Sequence, residues 1–590
     1  MPLNILQRHK NVHSDSEPSA TPKRSSALWP AVFLALGAAL LLWIYEGHMV
    51  ASLIRPDAMD YAQLGRNLLN GHGLTTYILR PLALTHGSNA MAQPDVTHGP
   101  LYPFLLALAF GLFGVKDPVV QAVSGLCFVL TVPMLVFLGQ RLFSRSVGLL
   151  AALVFLFNPA MLQYAAEAGT VPLFVFLATC LFLALDRVAS RAHTVGAEGA
   201  GRPAQAPLVL TGLLAGLLYL TEPLFFWLLP IVVAAVVCWH PRYRVRVAFS
   251  VLVPLSLLIL PSMARFGMLT GNPLFGLRGA ELWMNTTASP GFAGYRMAPE
   301  EFSRGSGHLL SVLLKSFLAT NAGLGALQRL PALCILLFVV PGLFFRYGDR
   351  GVNKVRAVLL LCLLGVFAGS IGLTFDPTLL MVVFPILLLY ALAYLTHLAQ
   401  EARLNSLSLG LASTGIGAVL LFPLIASLVT TRRPIGTPEA EVARAMQKQS
   451  RPGEVSFSDQ PWIAAWYADR PSIWIPVDDT NITAMRTRFK TVRWLFLTPE
   501  ARSLSQEWNI AFNGFMQWDR QYRHAMATGA PPPPELVITK GAVPISEALD
   551  GFVVRPLIES DTPSAVVAEA PASGALVKRE EGLTEQIVGK

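Results

Sequence analysis

Apolar runs recur along this chain from Leu28 to Val429, and they limit it to folds that can hide such runs from water. Of its 590 residues, 53% are hydrophobic and 14% charged, and the mean hydropathy is +0.51. A soluble domain carries about 25% charged residues. The chain therefore reads as a polytopic helical membrane protein. Its net charge of +9 does not point to nucleic acid, because Arg and Lys cluster in the short loops between apolar runs, where they set orientation.

Residues 1–26 are polar and read as a disordered cytoplasmic tail, with Lys23 and Arg24 holding the N-terminus inside. The first run is Leu28–Tyr45. Leu101–Val115 is short for a span of about 20 residues and reads as an interfacial helix. The runs that follow are Val119–Gly139, Gly148–Phe157, Pro172–Leu185, Leu208–Leu220, Leu224–Cys238, Val247–Met263, Leu330–Phe345, Ala357–Leu373, Thr378–Leu395 and Leu407–Val429. They predict about eleven spans within a membrane domain over 27–430, with outer loops at 46–116 and 265–329. A Leu309–Leu318 stretch in the second loop reads as another interfacial helix. This topology puts Arg141, Arg145, Arg187, Arg242 and Arg346 on the inner side; Arg432 and Arg433 are exceptions.

After Pro434 the composition becomes that of soluble protein. Helical spacing at Ala440–Met446 and strand-like runs at Glu454–Phe457, Ser472–Pro476, Thr491–Leu497 and Leu536–Thr539 predict a periplasmic α/β domain over 431–559, followed by a disordered tail at 560–590. Five cysteines lie in apolar runs with no CxxC, which gives neither a disulfide framework nor a zinc site by spacing.

The stretch that carries chemistry is Arg55–Pro103. It reads RPDAMDYAQLGRNLLNGHGL and, further on, THGPLYP. Pro56 and Asp57 suit a helix start and Gly71 its end. Asp57, Asp60 and Tyr61 fall on one side of that helix, and Leu64, Leu68 and Leu69 lay it along the membrane. Asp57 reads either as a cap on an interfacial helix or as a general base. Asp60 reads as a solvated neighbour or a supporting partner. His98 and Asp95 are either solvated loop residues or groups that position an acceptor or phosphate. Tyr61 packs against the helix and can turn its hydroxyl to the site. Arg265 and Arg278 open the second outer loop, where a planar guanidinium suits a lipid phosphate; Arg265 also fits a boundary residue whose charge reaches back to water. Trp462, Trp466 and Tyr467 form an aromatic patch best read as core of the C-terminal domain.

Three segments, in this order, resemble the GT-C class of membrane glycosyltransferases, most of all the family 39 group of protein O-mannosyltransferases and lipid A aminoarabinose transferases. Asp57, Tyr61 and Ala62 match an Asp-x-x-x-Tyr-Ala pattern, with Gly65 in place of a final Ala. His98-Gly99-Pro100-Leu101-Tyr102 is similar to a later His-Pro-Pro-Leu element. LPSMARFGMLTGNPLFGLRGAELWMN, Leu260 to Asn285, is similar to a segment with an Arg, a Gly-Asn-Pro and a closing Trp and Asn. The resemblance implies transfer of a sugar from a polyprenyl-phosphate carrier to a lipid, glycan or protein acceptor at the periplasmic face of a bacterial inner membrane. It implies inversion, with Asp57 as base. Asp60, Tyr61, His98, Arg265, Arg278 and Glu222 would bind substrate or carrier phosphate.

The sequence departs from the family at Ala58, where a second acid is common, and this leaves a divalent metal an open question. Glu222 follows Leu220-Thr221 where relatives often carry a Lys or Arg, so either the carrier is bound differently there or Glu222 meets the acceptor or a cation. Val171 stands where an acid is expected, with Glu167 nearby, and Asp376-Pro377-Thr378 replaces an Arg-Tyr. Two other classes fit the departures: a transporter or flippase for a lipid-linked saccharide, and an inactive scaffold. No Gly-rich phosphate cradle points to a soluble nucleotide donor.

Overall fold

The computed structural model describes residues 28–86, 89–197, 203–280, 295–297, 337–372, 377–402, 406–430, 439–476, 491–504, 553–556 and single positions between 485 and 529. The two tails, the Leu309–Leu318 stretch, Trp283, Asn285, Asp376, Arg432, Arg433 and the Leu536–Thr539 run lie outside the described residues.

The chain is mostly helical. Helix α1 is Leu28–Met49 and α2 is Pro56–Leu69; α3 is Leu101–Phe113, α4 Asp117–Leu142, α5 Arg145–Leu156, α6 Pro159–Ala166, α7 Val171–Ala197, α8 Gln205–Thr221, α9 Leu229–Cys238 and α10 Arg244–Thr270. Further helices run over Val339–Phe344, Arg350–Gly372, Pro377–Glu401, Ser406–Thr430 and Glu439–Gln449. Among the described residues five helices are long and apolar enough to cross a membrane, or six if the bent pair α5–α6 is one span. Of the eleven runs expected, α8 and α9 are short apolar helices among the described residues, and the Leu330–Phe345 run is described only in its second half. Large apolar side chains on α1 and α10 point outward, among them Phe33 and Phe249, as a hydrocarbon solvent allows. The chain is a multi-pass membrane protein.

Sequence explains where the helices stop. Asn158-Pro159 bends α5–α6 by 58°. Asn158 Oδ1 accepts from the Ala160 and Met161 amides at 3.0 and 3.3 Å, and Pro159 needs no partner at a first helical position. Gly271, at φ 71°, closes α10. Helix α4 packs on α1, α5 and α7, and α8 on α7 and α10.

One sheet stands beside the helices. Its strands are β1 (Ile78–Leu79), β2 (Val455–Ser458), β3 (Ser472–Trp474), β4 (Val492–Leu497) and β5 (Val553–Pro556), in the order β1-β3-β2-β4-β5. The first four are parallel and β5 is antiparallel to β4. Ile78 pairs with Ser472 and Leu79 with Ile473. The sheet is therefore shared between the first loop and the chain after Glu439. A second tie reinforces this. Trp466 and Tyr467 do not fill a self-contained domain core; the Trp466 indole and the Tyr467 hydroxyl both donate to Asp117 at the start of α4, at 2.7 and 2.8 Å. Trp466 also stacks on Phe110 of α3, and Arg66 of α2 donates to the carbonyls of Ala465 and Trp466.

Candidate active site

Helix α2 starts and ends where its sequence predicts. Pro56 stands at its first position, Arg55 before it is extended, as a residue preceding proline prefers, and Gly71 beyond it has φ 81°. It does not lie along a lipid surface, however: Ala58–Asn67 are all buried, between α3 and the 461–468 turn. Its polar residues are consequently used. Gln63 donates to Thr76 Oγ1 and accepts from the Tyr77 amide, and Asn67 donates to the Thr75 carbonyl at 2.9 Å. Those bonds fix the strand that follows, and β1 delivers Arg80 from its carboxyl end.

Arg80 explains why Asp60 is not a solvated neighbour. Asp60 is 4% exposed. Its Oδ2 accepts from Arg80 Nη2 at 2.5 Å and stands 3.3 Å from His98 Nε2. His98 is likewise not solvated: its Nδ1 meets Asp95 Oδ1 at 3.0 Å, its backbone amide donates to Asp95 Oδ2, and Thr97 also donates to Asp95. Burial works against a charge on His98, but Asp60 and Asp95 outweigh it and raise its pKa. Burial likewise opposes ionisation of Asp95, yet His98, Arg80 and Arg265 hold it well below the carboxylate range. The Asp60 Oδ1 atom is buried and has no hydrogen-bond partner among the described residues.

The three resembling segments converge. A Cβ on Gly99 would stand 2.3 Å from the Leu220 carbonyl oxygen, so the His98-Gly99-Pro100 backbone lies directly against the end of α8. The Leu277 amide donates to Val96 at 2.8 Å, and Gly276 takes φ 56° against the same carbonyl. This contact brings the start of the second loop onto the first. There Arg278 pairs with Glu222. The cation that Glu222 meets is thus Arg278 of the same chain, both side chains being largely buried. Arg265 Nη2 donates to the Leu74 carbonyl at 3.0 Å and neighbours Asp95, so it points to the first loop and does not reach back to a boundary.

Tyr61 is the meeting point. Its ring meets His98 and Tyr102 edge-on, with centroids 4.6 and 5.4 Å away. Burial pushes its hydroxyl pKa well above the usual value, Glu222, Asp57 and Asp95 push it further, and Arg278 pulls the other way. Residues from all three segments therefore act on one phenol. Asp57 lies at the edge of this group, paired with Arg55 through Nε at 2.9 Å and Nη2 at 3.2 Å. Arg55 Nη1 also reaches Glu167 at 3.5 Å. Arg55, Arg80 and Asp117 carry no signal in the sequence, because none stands at a helical spacing from its partner: Arg55 is two residues from Asp57, and Arg80 and Asp117 meet Asp60 and Trp466 only through the fold. Among the described residues no group of three or more His, Cys, Asp or Glu could hold a metal ion.

Residues 97–264 match the family model of dolichyl-phosphate-mannose-protein mannosyltransferases. The sequence matches no curated protein. The structure is similar to the Archaeoglobus fulgidus oligosaccharyltransferase in complex with Zn and sulfate, at 14% identity and a TM-score of 0.56, over 81% of this chain and 68% of that one. It is similar to AglB of the same organism in complex with an inhibitory peptide and a dolichol-phosphate, at 12% identity and a TM-score of 0.54, over 80% and 70% of the two chains. ArnT from Cupriavidus metallidurans bound to undecaprenyl phosphate overlaps at 14% identity and a TM-score of 0.38, over 91% and 99%.

Proposed function

We propose that this chain, a membrane protein of the GT-C glycosyltransferase class, moves a sugar from a polyprenyl-phosphate carrier to an acceptor at the outer face of the membrane. The observation that carries this reading is the convergence on Tyr61 of Asp57, His98, Glu222 and Arg278, from four stretches of the sequence. Acids and cations in one cluster, largely buried with Asp57 at its edge, suit a reaction in which a lipid phosphate leaves. AglB, of similar fold, is described with a dolichol-phosphate, which supports a lipid-linked donor here.

In this reading the acceptor oxygen or nitrogen forms a bond to the anomeric carbon as the bond to the carrier phosphate breaks, with inversion. Asp57 takes the acceptor proton, and the phosphate leaves with the electron pair. Arg265, with Arg278, stabilises that growing charge, which is where electrostatic catalysis gains most. His98, held between Asp60 and Asp95, stands at the centre of the cluster, where the two carboxylates favour its positive charge. About eleven spans in a bacterial inner membrane, N-terminus inside, put this cluster and the chain after Glu439 on the periplasmic side.

The test is transfer from a radiolabelled polyprenyl-phosphate sugar by protein in nanodiscs. A general base contributes about 10²–10⁴-fold, so Asp57→Asn should lose transfer by that factor while keeping its melting temperature. Unchanged transfer in a folded Asp57→Asn protein sinks the role. Movement of a labelled carrier across the bilayer without transfer by the wild type would favour the transporter reading.

A further inference from the structure

The divalent metal left open by the sequence finds no empty seat beside Asp57. Arg55 occupies it. Both Asp57 oxygens face Arg55, Oδ1 at 2.9 Å from Nε and Oδ2 at 3.2 Å from Nη2. Glu167 Oε2 faces Arg55 Nη1 at 3.5 Å, and its other oxygen accepts from Gln163 Nε2 at 2.6 Å. All four carboxylate oxygens thus meet N–H donors. We propose that the Arg55 guanidinium is the resident cation of the site, bridging Asp57 and Glu167 where a divalent ion would otherwise sit, and that transfer runs without a bound metal. The catalytic half of this statement rests on the transferase reading; the cation half does not.

The protein builds this bridge from both sides. Pro56 holds Arg55 extended, so that its side chain lies alongside Asp57 two residues on. The Tyr164 ring lies under the guanidinium, 5.1 Å from its centre, an arrangement that favours a cation. On the other side Ala168 adopts φ 62°, a left-handed conformation that a non-glycine residue resists. Three buried side chains hold it there: Tyr102 donates to the Ala168 carbonyl at 2.9 Å, Ser124 to Gly169 at 3.0 Å and Gln121 to Ala166 at 3.2 Å. Strain retained by several independent contacts marks a position under functional constraint. Here its effect is to deliver Glu167 to Arg55. Gly169 lies beside the bridge, where a Cβ would stand in ordinary contact with Asp57 Oδ2 at 3.6 Å and with Arg55 Nε at 3.8 Å.

Charge decides what a guanidinium does that a divalent ion does not. One guanidinium balances one of the two carboxylates and leaves the triad a single negative charge, so Asp57 keeps the capacity to accept a proton. A carboxylate has about four acceptor sites, and Arg55 takes two of those on Asp57. Arg55 is therefore a positioning residue: it orients Asp57 through both carboxylate oxygens.

The experiment is Mn²⁺ binding by the full chain in nanodiscs, read by electron paramagnetic resonance. Wild type and Arg55→Lys should bind no Mn²⁺ at this site. Arg55→Gln should gain a saturable site at least tenfold tighter than any in the wild type, and Arg55→Gln with Glu167→Gln should lose it again. Saturable Mn²⁺ binding by the wild type that a folded Asp57→Asn protein lacks would overturn the proposal. So would a folded Arg55→Gln protein that gains no site. Failure of the transferase reading would leave these results unchanged and appear only as absence of sugar transfer. If transfer occurs, an excess of chelator should leave it within twofold of its rate, and a loss beyond tenfold restored by a divalent ion would overturn the catalytic half.

Discussion

Replacing Arg80 with methionine is the sharpest probe of how the cluster is held. The change removes one guanidinium and keeps the apolar stem. Asp60 would lose the donor 2.5 Å from its Oδ2 and keep only His98 at 3.3 Å. Side-chain exposures are 5% for Asp60 and 13% for Arg80, so water would not replace the lost partner. Breaking a buried pair by removing one partner costs about 3–5 kcal/mol, whereas replacing both with neutral groups is often close to neutral. Arg80→Met should therefore lower the melting temperature of the nanodisc-held protein strongly, Asp60→Asn less, and the double variant should recover more than half of the Arg80→Met loss. Tryptophan fluorescence melts of the four proteins give the cycle. Losses that simply add would show that the two side chains do not depend on each other and would refute the reasoning.

Three other outcomes follow from the geometry. Gly99→Ala places a methyl group 2.3 Å from the Leu220 oxygen; overpacking of this kind costs about 1–3 kcal/mol, and a melt unchanged from wild type would mean the segments do not meet there. His98 has its pKa raised above 6.5 in the folded protein, so its contribution is full below pH 6.5 and is lost as pH rises through the raised value. The melting-temperature gap between wild type and His98→Gln should thus be widest at pH 5–6.5 and narrow above it; a gap that grows with pH would contradict this. Asp117→Ala removes the acceptor of the Trp466 indole and leaves the Tyr467 hydroxyl with the Leu53 carbonyl at 3.4 Å, a loss of about 1.5–3 kcal/mol per bond to a charged acceptor. Limited proteolysis should then cut the chain after Glu439 sooner than in wild type, and equal protection would show that Asp117 does not anchor it.

Local signals along the chain mark what local chemistry decides. Proline and glycine marked both ends of α2, the Gly148–Phe157 run stopped just before Asn158-Pro159, and strands β2, β3 and β4 appeared as short strand-like runs. The two-residue β1 gave no run to see, because its identity as a strand comes from pairing with Ser472 and Ile473. The burial of α2 escaped for a related reason. Its leucines describe one apolar side, while its polar residues are buried through partners in other segments: Gln63 with Thr76 and Tyr77, Arg66 with the turn at 465–466. The candidate site shows the same division. Asp57, Tyr61 and His98 sit in readable segments, but Arg80 reaches Asp60, and Arg278 reaches Glu222, only through the fold.

The most direct test of the central claim is a structure of the nanodisc-held protein with a polyprenyl phosphate bound. The account predicts the phosphate within hydrogen-bond distance of Arg265 or Arg278, with Asp57 facing the space beside it. A phosphate bound away from both arginines, with no opening toward Asp57, would contradict it.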